Sequence, residues 1–322
     1  MTEAAVGPSI CAKPLLTLEE QVEDLERRGV AFELCSKEEA RSYLAEHTYF
    51  FKLTAFRALF KRRVGGARDG QYVRLDFEYL RRLAALDRDM RYALLQLTLD
   101  VEHAARTKLM RIVTEREDED GYSLSLDYFE SLNHKEKNRR KGEVAALAKD
   151  AYCGELVAKY GSDPATIPVW VLLELFSFGG FRDLYLFCAE RWGNRAMVGE
   201  HYMLRQAQSV RNACAHSSDV LNGFARMDAT VETDSEVQRA LSEAGFSHRV
   251  RTSRMRSARV QQIATLLYLH ARMVPDGAGK RRAARDMHEL RAKIDKVTGI
   301  AGIDNSARAP LLFLADLIDK WF

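Results

Sequence analysis

The chain has 322 residues, 47% of them hydrophobic and 30% charged, with a formal net charge of +3. That composition excludes wholesale disorder and is enough for one large or two ordinary domains with a substantial core. The charge excess is too slight to imply a polyanionic partner by itself, and no stretch reaches the ~18 apolar residues of a membrane span.

Six prolines in the whole chain leave room for long helices, because proline breaks the helical hydrogen-bond ladder. Five cysteines, at 11, 35, 153, 188 and 214, are odd in number, and none forms a CxxC pair. This argues against a zinc site or a disulfide framework and for a reducing compartment. The opening "MTEAAVGPSICAKPLL" carries an early acid and no long apolar segment, so it does not read as a secretory leader. The expectation is a cytoplasmic protein without membrane contact, needing neither metal nor other cofactor.

In chain order, residues 1–14 read as a flexible arm. Thr17 with Glu20, and Ser36 with Glu39, have capping-box spacing and open helices over "TLEEQVEDLERRG" and "SKEEARSYLAEHTYFFKLTAFRALF". The aromatics Tyr43, Tyr49, Phe50, Phe51, Phe56 and Phe60 are expected in a core. The glycines of "VGGARDGQ" mark a loop.

Tyr79, Leu83, Leu86, Met90, Leu94, Leu97, Val101 and Ala104 recur at spacings of three and four, which predicts one long helix from near Asp76 to near Thr114. The acidic run "EREDEDG" then ends it. An EF-hand loop fails there, because its first ligand place would be Arg116 and its twelfth Asp127. "HKEKNRRKGEVAALAKDAYCGELVAKYG" begins basic and continues helical. "TIPVWVLLELFSFGGFRDLYLFCAERWG" predicts two helices, with Gly179 and Gly180 permitting a bend between them. Trp170, Leu173, Phe176, Phe181, Leu184, Tyr185 and Phe187 are its expected core residues.

Around 203–216, Met203, Ala207, Val210 and Cys214 form an apolar stripe, and Arg205, Ser209, Asn212 and His216 a polar one. One side of this helix is buried and the other offered. "SSDVLNGF" should end it, with Gly223 as the stop. "HRVRTSRMRSARV" carries five arginines in thirteen residues. A helix, a basic loop and two more helices complete the chain. Strand alternation is scarce throughout, so the fold class is all-α.

The phosphate-binding and hydrolase motifs GxxxxGK[ST], GxGxxG and GxSxG are absent, and His288-Glu289 does not extend to HExxH. "SVRNACAHSSDVLN" remains. An imidazole with an unperturbed pKa of about 6.5 can act as base or acid. A guanidinium pairs with phosphate oxygens and stays charged. Arg211 and His216 therefore suit cleavage of a phosphodiester by a neighbouring 2′-hydroxyl, and Asn212, four residues before His216, could orient the ring. Arg211 and His216 are five residues apart, so about 140° separates them on a regular helix. They converge if Arg211 curls back, if the helix ends locally, or if two copies pair about a twofold axis and line one groove. By pattern alone, RxxxxH also fits an ordinary polar helix face.

"RNACAH" followed by "SSDVLN" resembles the R-x4-6-H signature of HEPN ribonucleases. "LTLEEQVEDLERRGV", "YLAEHTYFFKLTAFRALF", "FEYLRRLAALDRDMRYALLQLTLDVEHAARTKL" and "PVWVLLELFSFGGFRDLY" resemble, in order, segments of the Abi-like (AbiD/AbiF-type) abortive-infection branch. The resemblance spans roughly residues 14–225. It implies an all-α, HEPN-type helical bundle with added N- and C-terminal helices: a helical region at 15–70, a HEPN-like core at 71–225 and an extension at 226–322. It also implies a homodimer that cleaves RNA without metal in defence against phage, leaving a 2′,3′-cyclic phosphate and a 5′-hydroxyl. Arg211 and His216 would be the catalytic pair, supported by Asn212, with a regulatory small RNA or antitoxin as a further partner.

Glu102 and Arg106 are either supporting site residues or an ordinary i, i+4 ion pair. Arg139, Arg140 and Lys141, together with Arg249, Arg251, Arg254 and Arg256, are candidate RNA contacts of the kind that give affinity without sequence choice. Two other readings stand beside the ribonuclease. One is a HEPN module that binds RNA or a partner without catalysis. The other, a two-metal nuclease using Asp87, Asp89 and Glu102, is disfavoured because those acids do not share a helix face.

Overall fold

The computed structural model describes residues 14–322, so the expected arm lies, apart from Pro14, outside the described residues. The protein is all-α: 72% is helical, in fifteen α-helices with two short strands among the described residues. The helices are α1 (Leu18–Arg27), α2 (Lys37–Glu46), α3 (Phe50–Ala55), α4 (Phe77–Glu115), α5 (Gly121–Ser131), α6 (His134–Ala146), α7 (Cys153–Tyr160) and α8 (Val169–Leu175). They continue with α9 (Phe178–Arg191), α10 (Arg195–Ala215), α11 (Ser235–Glu243), α12 (His248–Arg254), α13 (Ala258–Met273), α14 (Ala278–Thr298) and α15 (Asn305–Trp321). No helix among the described residues is long and apolar enough to cross a membrane.

Contacts divide the chain into two compact units. The first comprises the chain up to Ala85 with Ile300–Asp304. Both capping boxes form here: Thr17 accepts from the Glu20 amide and Ser36 from the Glu39 amide, while each glutamate returns a bond to its cap's amide. The stretch expected as one helix from Ser36 to Phe60 is broken at His47–Tyr49. It continues as α3 and a 3₁₀ turn, Phe56–Leu59. The break splits the aromatic cluster: Phe56 and Phe60 are buried, whereas Tyr49 and Phe51 face solvent. Strand β1 (Val30–Ala31) pairs in parallel with β2 (Leu75–Asp76). Buried Asp76 then starts α4 by accepting from the Glu78 amide, and its other oxygen holds the amides of Glu33 and Leu34.

The second unit comprises Leu86–Gly299 and Asn305–Phe322. Its centre is α10, packed along α9 on one side and α13 on another. Thus α13, which lies in the 226–322 extension, shares a core with the helix that carries the motif. From α4 this unit takes the buried residues Leu86, Met90, Leu94, Leu97 and Val101, the spacing anticipated from sequence. The α4 chain runs opposite to α10: Asp87 bonds the Val220 amide, while Lys108 bonds Glu200 near the start of α10.

The α8–α9 junction differs from expectation in its cause. The helices part at Phe176–Ser177, where the Ser177 hydroxyl caps α9. Gly179 and Gly180 lie inside the first turn of α9. A Cβ on Gly180 would sit 2.8 Å from Nη1 of Arg140 and 3.1 Å from Phe176. Glycine is there to admit a guanidinium, not to bend the chain. Of the expected core residues in this segment, Trp170 is half exposed and lies over Gly121, while Leu173, Phe176, Phe181, Leu184 and Tyr185 are buried.

Candidate functional site

The sequence of α10 separates its two faces as predicted. Met203, Ala207, Val210 and Cys214 are buried; Arg205, Asn212 and His216 are exposed and Ser209 partly so. The helix stops sooner than Gly223, however. His216 is the C-cap, and Ser217 turns into the left-handed region with φ 53°. The Ser218 amide donates to the Ala213 carbonyl (2.8 Å) and the Ser217 amide to that of Cys214 (3.1 Å), the two bonds of a Schellman turn. Glycine usually fills the left-handed place, so a serine there costs on the order of 1–2 kcal/mol that the surroundings must offset.

What offsets it comes from far away in sequence. Asp87 on α4 is 1% exposed. Its Oδ1 accepts from the amides of Val220 (2.8 Å) and Leu221 (3.1 Å), and its Oδ2 from Nε of Arg91 (3.0 Å). Asp219 accepts from the Asn222 amide (3.1 Å) and from the Asn222 side chain. Burial, with the neighbouring Asp87 carboxylate, pushes the Asp219 carboxyl up to about 6. The turn after His216 is thus pinned by a buried carboxylate. Burial also pushes the Cys214 thiol up to about 11, which leaves it protonated and inert near neutral pH.

A second support arrives from the chain beyond residue 226. The Ser257 hydroxyl caps α13 and donates to the Gly223 carbonyl (3.1 Å), and the Ala229 amide donates to the Arg256 carbonyl (3.0 Å). Gly223 lies in a 3₁₀ turn, Leu221–Ala225, where a Cβ would come within 3.0 Å of the Arg259 side chain. Burial pulls the Arg259 guanidinium down, while Cys214, Asp228, Asp87 and Asp219 hold it up.

The sequence-predicted residues fall into three groups. Arg211, Asn212 and His216 lie together at the end of α10. Nε of Arg211 is buried without a hydrogen-bond partner, and among the described residues Arg211 makes no ion pair. His216 is exposed, and its ring makes no hydrogen bond or ring contact among the described residues. The Asn212 amide does not reach the ring; the backbone carbonyl of Asn212 instead accepts from the His216 amide (3.0 Å). The helix is regular through Ala215 and the His216 amide still bonds Asn212, so about 140° separates Arg211 from His216 within one chain.

Glu102 and Arg106 are not brought to this place. Arg106 is bonded to Glu102 and to the carbonyls of Leu173 and Phe176, and lies 4.7 Å from the Phe181 ring centroid. It satisfies carbonyls at the end of α8, which would otherwise lack partners. Nineteen residues separate Arg106 from Asp87 on one helix, a distance of about 28 Å. The acids of the disfavoured metal reading are likewise dispersed: Asp87 holds Arg91, Asp89 holds Lys293 and Glu102 holds Arg106.

The two basic segments differ. Arg140 is 3% exposed and lies between Glu143 and Asp183, so it is a structural cation. Arg139 also pairs with Asp183, and Lys141 with Asp163. In the second segment, Arg251 donates to the Phe246 carbonyl and burial pulls Arg254 down. Arg249 and Arg256 are exposed and make no ion pair among the described residues. Sequence reasoning passed over Asp87 and Asp219 as supports of the motif. No local signal marks the role of Asp87, which meets the Val220 amide 133 residues away; Asp219 bonds Asn222 three residues on.

Residues 42–222 match the family of Abi-like proteins, more than half of the chain. The chain belongs to the Abi-like family. Membership implies a role in abortive infection, the defence against phage. The span matched in this Abi-like protein ends at Asn222, so it includes α10 and the pinned turn but not α13. No curated protein and no solved structure matches the chain.

Proposed function

We propose that this Abi-like protein is a metal-independent endoribonuclease of the HEPN type. One observation carries the reading: Arg211 and His216 are unpaired side chains at the end of one helix, on a backbone fixed by distant buried groups. Arg106, in contrast, bonds Glu102 and the carbonyls of Leu173 and Phe176, and Arg140 is ion-paired to Glu143 and Asp183 although its Nε, like that of Arg211, has no hydrogen-bond partner. A buried donor without a partner, as Nε of Arg211 is, costs stability unless something else uses it, whereas the exposed His216 ring is solvated and open to a substrate.

The chemistry follows from the residue types. The 2′-oxygen attacks the adjacent phosphorus and the bond to the 5′-oxygen breaks, giving a 2′,3′-cyclic phosphate and a 5′-hydroxyl. His216 takes the hydroxyl proton or returns one to the leaving oxygen. Arg211 meets the charge that grows on the phosphate. A twofold homodimer would supply two such sets, one for each proton, with Asn212 orienting the rings across the shared groove. The exposed Arg249 and Arg256 would hold the RNA backbone, giving affinity that falls with salt.

The test uses end-labelled single-stranded RNA with chelator present, the product ends read by mass. The full chain should cut and leave cyclic phosphate. His216→Ala and Arg211→Ala should abolish cutting while binding survives. Binding with no cutting by the native chain would favour the non-catalytic module instead.

A further inference from the structure

A cleft of about 470 Å³ lies between α10, the segment 230–234 and α13. We propose that it is a nucleobase-binding subsite, taking a base of single-stranded RNA that flanks the phosphate at His216. The position of the cut rests on the nuclease reading; the binding of a base does not.

The lining is rich in amides and hydroxyls, with Gln206 and Ser209 on α10 and Gln262 and Thr265 on α13; its charged members are Arg205 on α10 and Glu232 and Asp234 on the 230–234 wall. Gln261 forms the floor, 3% exposed, and its amide is occupied by the Val231 carbonyl (3.0 Å) and the Thr233 hydroxyl (2.9 Å). That bonding fixes the 230–234 wall. The amides of Gln206 and Gln262 make no hydrogen bond among the described residues, so the cleft presents two uncommitted donor–acceptor pairs. A side-chain amide matches a base edge, adenine's N6 and N7 above all. Tyr202 stands at the mouth, 54% exposed, where a base can stack. Arg205, exposed beside it, suits a phosphate.

The placement fits a neighbouring nucleotide. Ser209 is seven residues before His216, which returns to the same helix face about 10 Å away. At about 3.4 Å per stacked step, and more when extended, this is a reach of one to three nucleotides. An adjacent cleft under Met203 is larger, but its polar groups hold one another: Lys108 binds Glu200, and Tyr268 binds Glu236.

The experiment measures binding of fluorescent eight-nucleotide homopolymers of A, U and C to the His216→Ala chain, which cannot degrade them. One homopolymer, expected to be A, should bind roughly tenfold more tightly than the weakest. Gln206→Ala with Gln262→Ala should reduce that spread to about twofold and leave the weakest affinity unchanged. Gln262→Glu keeps size and fold but offers only acceptors, and should move preference toward C. Equal affinities in the starting chain, or a preference that survives the double substitution, overturns the subsite. If the native chain cuts RNA without preference, the subsite fails and the nuclease stands. If glutamine-dependent preference appears without cutting, the reverse holds.

Discussion

The two ends of α10 show how one helix can carry opposite roles. Near its start, Glu200 accepts from Lys108 (2.6 Å) and from the Tyr185 hydroxyl (2.5 Å), and the buried His201 ring contacts the Arg182 carbonyl (3.0 Å). Burial pulls the His201 imidazole down, so it stays neutral. At the other end, fifteen residues on, His216 is exposed and Arg211 lacks a partner. Two histidines of one helix thus differ wholly in environment. The satisfied end supports the fold, and the unsatisfied end is available for chemistry.

Exchanging the two histidines sharpens this contrast most. His216→Ala should lower RNA cleavage by roughly 10²–10⁴-fold with little change in the thermal melt. His201→Ala should do the reverse, costing about 1–3 kcal/mol of stability while each folded molecule keeps its cleavage rate. A matched pair of gel assays and melts reads both. Were His201→Ala to abolish cutting in folded protein, the division of labour along α10 would be wrong.

Asp87→Ala should come next. It leaves Arg91 buried without its carboxylate and frees two amides, for a loss of about 3–5 kcal/mol in chemical denaturation. Asp87→Asn, which keeps an acceptor for the amides, should cost less. Equal melts for Asp87→Ala and the native chain would mean that the turn does not depend on α4.

The third effect depends on pH. The folded Asp219 carboxyl, at about 6, lies above its ordinary value, so the folded state binds this proton more tightly. Its contribution to stability is therefore fully present below about pH 4 and lost as pH rises through about 6. Asp219→Asn should remove that slope and stabilise the protein at pH 7–8 by on the order of 1–3 kcal/mol. Melts across pH 4–8 provide the check, and an unchanged slope would contradict the burial argument. Smallest is Ser217→Gly, which removes the cost of a left-handed serine and should raise stability by about 0.5–1 kcal/mol; a lower melting temperature would show that the serine side chain matters more than its backbone.

Local signals were legible in the sequence. Long-range ones were not. The predicted span of α4, Asp76 to Thr114, differs by one residue at each end from Phe77–Glu115, because a regular apolar stripe leaves little choice. Thr17 and Ser36 cap where their partners three residues on require. The break at His47–Tyr49 has no glycine or proline to announce it. Gly180 was misread because its purpose is set by Arg140, forty residues earlier. At the site, the exposed stripe of Arg205, Asn212 and His216 followed from spacing alone. The early stop at Ser217 did not, since it depends on Asp87. Charge runs were the least informative. Arg139 and Arg140 meet Asp183 more than forty residues away, while Arg249 and Arg256 meet no acid among the described residues.

The turn after His216 also has a consequence for synthesis. Its supports are made at very different times: Asp87 early, Val220 much later, and Ser257 later still. While the ribosome is translating the chain, that turn lacks its second support until residues past 257 have left the exit tunnel. The site proposed to cut RNA is therefore completed only when synthesis is nearly done.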